Sequence, residues 1–136
     1  HEALRMTSPV MHMRRTATQD TEIAGQKIAE DEKVIMWYGA ANRDPSVFPN
    51  PDVFDMTREN VEKHVAFGHG VHRCLGNRIA QMQLNMAYER ILDRFPNIYW
   101  TGKQKIEPII LVHAISSLKV NLYGKGAKRP VKVAVS

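Results

Sequence analysis

The 136 residues suffice for one domain with a modest core and are too few to suggest two, and 43% apolar with 24% charged residues argues against disorder of the whole chain. The net charge of +5 comes in part from Lys125, Lys128, Arg129 and Lys132. No aromatic residues interleave with these cations, so residues 123–136 read as a solvated basic tail, and nucleic-acid binding is set aside.

The chain opens on His, not Met, as expected of a processed product or a fragment. No signal peptide is visible. Residues 2–6 read as a helix stopped by Ser8-Pro9. Val10–Arg15 looks extended. Ile23–Ile28, with Gly25 as a turn, and Lys33–Tyr38 read as strands, and Glu30-Asp31-Glu32 is expected to close a hairpin between them. Asn42–Thr57 contains prolines 45, 49 and 51 and reads as irregular coil, long enough to be specially packed or functional. Leu75, Ile79, Met82 and Met86 follow helical steps, and Leu84, Ala87, Tyr88, Ile91, Leu92 and Phe95 widen the stripe. This predicts a mostly buried helix of about 20 residues ending at Phe95-Pro96. Ile109–Ile115 and Leu118–Leu122 read as strands joined at Ser116-Ser117. The longest apolar runs, Val34–Tyr38 and Ile109–Val112, fall well short of the roughly 20 residues that cross a bilayer, so no membrane anchor is expected in the chain.

The densest chemical signal is Phe67-Gly68-His69-Gly70-Val71-His72-Arg73-Cys74-Leu75-Gly76. Its single cysteine has no partner for an internal disulfide, which fits a reducing, cytoplasmic setting or a thiol kept for chemistry. Cys74 lies at the start of the predicted helix, where unpaired N–H groups, the helix dipole and Arg73 favour thiolate over thiol. Gly68, Gly70 and Gly76 clear side chains from the loop, so backbone can approach a flat ligand and turn N–H groups toward the sulfur. Other roles are open to these residues. His69, His72 and Cys74 are conceivable metal ligands, but a structural zinc site wants four ligands in two clusters and no second cluster exists. A nucleophile paired with histidine needs a base and an oxyanion site. A buried structural cysteine fits poorly with three flanking glycines and an adjacent His-Arg.

Phe67-x-x-Gly70-x-x-x-Cys74-x-Gly76 resembles the haem-binding loop of the cytochromes P450. Further features stand in the same order. Glu2-x-x-Arg5 is similar to the glutamate–arginine pair of the family's K helix. Pro51-Asp52-x-Phe54-x-x-x-Arg58 is similar to the following meander, whose arginine closes an ion network with that pair. Pro9-Val10 to Arg15, before Thr16-Ala17-x-x-Asp20, resembles the strand lining the substrate cavity. The resemblance implies an α+β fragment of the mainly-α P450 fold: K-helix end, small β-hairpins, meander, cysteine-ligand loop, long L helix and C-terminal β-hairpin. Residues 1–122 would be the C-terminal haem-binding part, with the N-terminal two-thirds of the family's fold absent from this sequence.

By the same resemblance the cofactor is haem b (iron protoporphyrin IX), with Cys74 as axial ligand to the iron and no other catalytic residue in the chain. Phe67, Gly68, Gly70, His72, Arg73, Gly76, Ala80 and Arg15 would contact the haem, His72 and Arg15 at its propionates. Val10, Met11, His12, Met13, Ala114 and Ile115 would line the substrate site. A thiolate ligand favours O–O cleavage. The implied reaction is therefore hydroxylation of an unactivated C–H bond of a lipophilic molecule, using O2 and two electrons from a ferredoxin-type donor that Arg73 and Arg78 would attract. Several segments, among them His12–Ala17 and Met36–Tyr38, are similar to bacterial alkane and fatty-acid hydroxylases, and enzymes acting on terpenoids and steroids share much of the pattern. The second wall, Ile110–Ser117, departs from the alkane group. The chain by itself is expected to be inactive, and the alternative reading is a haem-binding module or inactive fragment without oxygenase activity.

Overall fold

The computed structural model describes residues 1–125. Lys128, Arg129 and Lys132, and with them most of the expected basic tail, lie outside the described residues. The described residues divide into two compact units: His1–Cys74 with Pro108–Ala114, and Leu75–Glu107 with residues 115–125.

The first unit begins with helix α1, Glu2–Thr7, which ends as Ser8 enters the left-handed region at φ 39° ahead of Pro9. Strand β1 spans His12–Thr16, β2 Thr21–Ile23, β3 Gln26–Ile28 and β4 Lys33–Trp37; the short helix α2, Tyr38–Ala41, follows directly. The pairing differs from the sequence-based expectation. β2 and β3 close on each other through Ala24 and Gly25, whose φ angles of 50° and 83° make the two-residue turn that suits the twist of a hairpin. That frees β4 to run antiparallel to β1, from His12 opposite Trp37 to Thr16 opposite Lys33. Glu30-Asp31-Glu32 therefore returns the chain to β1 instead of turning it back on β3. Residues 42–60 form successive turns without regular structure, as the three prolines predict.

The interior of this unit is mostly polar. Phe48 and Ala66 are the buried apolar side chains, beside buried Glu2, Arg5, Ser8, Asn42 and His64. Residues 109–113 dock irregularly: Val112 bridges Val10, the Met11 N–H donates to the Leu111 carbonyl, and the His113 N–H donates to the Pro9 carbonyl.

The second unit holds helix α3, Asn77–Arg94, and strand β5, Tyr99–Glu107, paired with β6, Ala114–Asn121, of which all but Ala114 belongs to this unit. β6 runs unbroken through Ser116 and Ser117, so the expected hairpin joined at those serines is replaced by one with residues 99–107. The serines are tolerated because residues 115–120 are exposed, and the Ser116 hydroxyl reaches the Lys105 carbonyl. The stripe on α3 was expected to be buried. Ile79, Met82, Met86 and Ile91 are instead 42–58% exposed. No helix among the described residues is long and apolar enough to cross a membrane.

Candidate functional site

Three charged side chains converge beneath the coil of residues 49–58. Glu2 and Arg5 share one face of α1, three positions apart. Arg5 is fully buried and donates to both Glu2 carboxylate oxygens, Nε at 2.7 Å and Nη2 at 2.8 Å. Its Nη1 donates to the carbonyls of Asn42 at 2.7 Å and Pro51 at 2.8 Å. Glu2 also accepts from Arg58 Nε at 3.2 Å and from the Asp55 N–H at 3.0 Å. Arg58 in turn donates to the carbonyls of Pro49, Asn50 and Val53, which fastens the coil to the helix. Hydrogen bonding from Arg5, then from the Asp55 N–H and Arg58, outweighs burial and holds the Glu2 carboxyl at about 2; the Glu2 carboxylate raises Arg5 above its usual value. Phe48 packs its ring 5.2 Å from the Arg5 guanidinium carbon.

The cysteine loop follows. His64 is buried, and burial pushes its imidazole below the usual value. A neutral ring lets Nδ1 accept the Ala66 N–H at 3.2 Å. Gly68 sits at φ +74°, and its N–H donates to the Val65 carbonyl. A Cβ there would come 3.3 Å from the Tyr38 hydroxyl, so both backbone angle and space favour glycine. A short 3-10 turn, Gly70–His72, leads to Cys74, whose N–H donates to the Phe67 carbonyl at 2.9 Å. That bond closes the loop and presents an exposed free thiol.

Cys74 borders a cavity of about 530 Å³ in the first unit. Leu4, Pro9, Val10, Met13 and Phe67 supply an apolar wall. Met13 and Arg15, two apart on β1, face it together. Arg15 and His72 are its basic side chains. The Arg15 guanidinium donates to the Arg14 carbonyl, and His72 makes no hydrogen bond among the described residues, so both have donors left over.

Of the residues singled out in the sequence, the structure gathers Val10, Met13, Arg15, Phe67, Gly68, His72 and Cys74 around this cavity. Gly70 and Arg73 lie on the same loop but are not among its lining residues. Met11 is engaged through its backbone, and His12 packs against Trp37, ring centroids 4.8 Å apart, with its Nδ1 buried and unpaired. Ala114 belongs to the first unit without lining the cavity, while Gly76, Arg78, Ala80 and Ile115 belong to the second. His69, His72 and Cys74 do not assemble a metal site, and among the described residues no group of three or more His, Cys, Asp or Glu is placed to hold an ion. Sequence reasoning missed Asn42, Ser8, His64 and Phe48, whose polar or isolated positions in coil carry no periodic signal.

Residues 1–120 match the family model described as Cytochrome P450. The chain belongs to the cytochrome P450 family. Linalool 8-monooxygenase of Pseudomonas putida is 44% identical over 124 residues, covering 91% of this chain and 30% of that protein. The biotin biosynthesis cytochrome P450 of Bacillus subtilis is 45% identical over 120 residues, 88% of this chain and 30% of that one. Among solved structures, P450BioI in complex with a hexadec-9Z-enoic acid-ligated acyl carrier protein matches at TM-score 0.83 and 41% identity, over 88% of this chain and 31% of that one. Cytochrome P450-153 from Novosphingobium aromaticivorans matches at TM-score 0.81 and 43% identity, over 88% and 30%. The P450 chain thus spans about 30% of the length of the curated relatives it matches, and its fold is the expected α+β portion of the P450 fold.

Proposed function

We propose that this P450 chain is the haem-thiolate-bearing part of a monooxygenase that hydroxylates a lipophilic substrate. The observation that carries the reading is the lone thiol of Cys74 at the border of a cavity whose wall is apolar and whose charged groups are cationic. These residues fit an iron porphyrin. Cys74 would ligate the iron, Phe67 and the bare Gly68 would lie along the flat ring, and the spare donors of Arg15 and His72 suit its two carboxylates. Gly70, Arg73, Gly76 and Ala80 are proposed as further contacts. When bound, haem supplies dioxygen activation, which a thiolate ligand promotes.

The protein's own part is binding and orientation. The Cys74–Phe67 backbone bond fixes the height of the sulfur within its loop. Leu4, Pro9, Val10 and Met13 make the cavity wall apolar and favour an apolar guest such as an alkane, fatty acid, terpenoid or steroid. The relative named for linalool supports this class. A ferredoxin-type donor, drawn by Arg73 and Arg78, would supply electrons, and the cytoplasm is the proposed location.

The test is the carbon-monoxide difference spectrum of the reduced, haem-loaded full-length parent. A band near about 450 nm is expected, and Cys74→Ser abolishes it. An unchanged band in the serine variant overturns the reading. A normal band without hydroxylation of any lipophilic substrate would leave a haem-binding module in place of an oxygenase.

A further inference from the structure

The stretch entering the cysteine loop, residues 64–68, has neither strand nor α-helix to hold it, yet it sets where the sulfur lies. Its Val65 carbonyl anchors Gly68, and its Phe67 carbonyl anchors Cys74. Two successive N–H groups in it are satisfied by buried side chains. The Ala66 bond to His64 is local and shapes the turn. The Val65 N–H instead donates, at 2.7 Å, to Oδ1 of Asn42, 23 residues away. Asn42 is fully buried and occupied at every polar atom. Its Nδ2 donates to Ser8 Oγ at 2.8 Å, its carbonyl accepts from Arg5, and its N–H donates to the Tyr38 carbonyl. Because Ser8 spends its own hydrogen on the Arg5 carbonyl, Ser8 Oγ is the acceptor, and the amide has one satisfied orientation.

We infer that Asn42 is a positioning residue for the cysteine ligand, tying the Val65 N–H, and through it the sulfur loop, to the end of α1 and its ion network. Its consequence for ligation rests on the haem-thiolate reading; the tie does not. Asparagine suits the task because one planar group accepts on one side and donates on the other, at low cost in side-chain entropy when buried.

The experiment compares the complete protein, as purified and haem-loaded, with Asn42→Ala and Ser8→Ala. The measurements are the reduced carbon-monoxide spectrum and hydrogen exchange by segment. Asn42→Ala is expected to move the band from about 450 nm toward about 420 nm and to speed exchange across residues 64–74 at least about tenfold, leaving α3 unaffected. Ser8→Ala, which leaves the acceptor for Val65 in place and removes only the partner of Nδ2, gives a smaller change in the same segment. Unchanged band and exchange in Asn42→Ala overturn the inference. If the alanine variant does not fold, Ser8→Ala decides: no faster exchange in residues 64–74 overturns it. A wild-type protein lacking the band near 450 nm would defeat the haem-thiolate reading, while the exchange measurements would still judge the tie.

Discussion

Replacing Arg5 with methionine keeps much of the volume and removes the guanidinium. Four strong donations disappear: two to Glu2 and one each to the carbonyls of Asn42 and Pro51. The Glu2 carboxylate, 5% exposed, is left with Arg58 and the Asp55 N–H. Breaking a buried pair from one side costs about 3–5 kcal/mol. The remaining contact with Arg58 favours the lower end, and about 3 kcal/mol is a large share of the roughly 5–15 kcal/mol that holds a domain folded. With a urea m-value of about 1–3 kcal/mol per molar, the midpoint falls by at least about 1 M. Glu2→Leu alone also destabilises, by stranding Arg5. The double variant is expected to cost about 1–3 kcal/mol less than the sum of the singles, because neither charge is then abandoned. Urea titrations of the four proteins, followed by circular dichroism, measure the cycle. A cost below about 1 kcal/mol for Arg5→Met, or additivity within about 0.5 kcal/mol, would refute the claim that the pair is held as a unit.

Phe48→Ala empties a site only 1% exposed and removes the ring beside Arg5, so a loss of about 3 kcal/mol is expected by thermal or urea unfolding; a loss under about 1 kcal/mol means the site collapses freely. Gly68→Ala forces a Cβ into the left-handed region at about 1–2 kcal/mol and against the Tyr38 hydroxyl, and Tyr38→Phe in the same chain should recover the contact part but not the backbone part of the loss. Glu2 gives the acid limb of stability. Its carboxyl is depressed in the folded protein from 4.5 to about 2, so its contribution is complete above pH 4.5 and is lost as pH falls toward 2. Stability measured against pH in that window should fall less steeply in Glu2→Gln than in wild type, and equal slopes would show that Glu2 titrates normally.

The readable parts of the sequence were those with local periodicity or dense chemistry. Ser8-Pro9 marked the end of α1, alternation marked β1, the stripe from Ile79 to Ile91 marked α3, and Phe67–Gly76 marked the loop that borders the cavity. Strand partners were less legible. Glu30-Asp31-Glu32 looked like a hairpin turn, but Ala24-Gly25 had already closed β2 on β3, and β4 found β1 about twenty residues back, a choice made by tertiary packing. β5 was invisible because Lys103, Gln104 and Lys105 interrupt any apolar alternation in a strand that is almost entirely exposed. Asn42 illustrates the deepest gap. An amide in proline-rich coil has no pattern of its own, and its meaning arises only when Ser8 and Val65 arrive on either side.

The interior of the first unit has five polar side chains and two apolar ones among its buried residues. Oily interiors tolerate exchange of one hydrocarbon for another, since burial has no preferred direction. Carboxylate, guanidinium, amide, hydroxyl and imidazole have fixed angles and fixed counts of donors, so each admits few substitutes and each error strands a neighbour. Such a region changes in correlated sets of residues or not at all, and its rigidity comes from geometry instead of from the sheer amount of surface withdrawn from water.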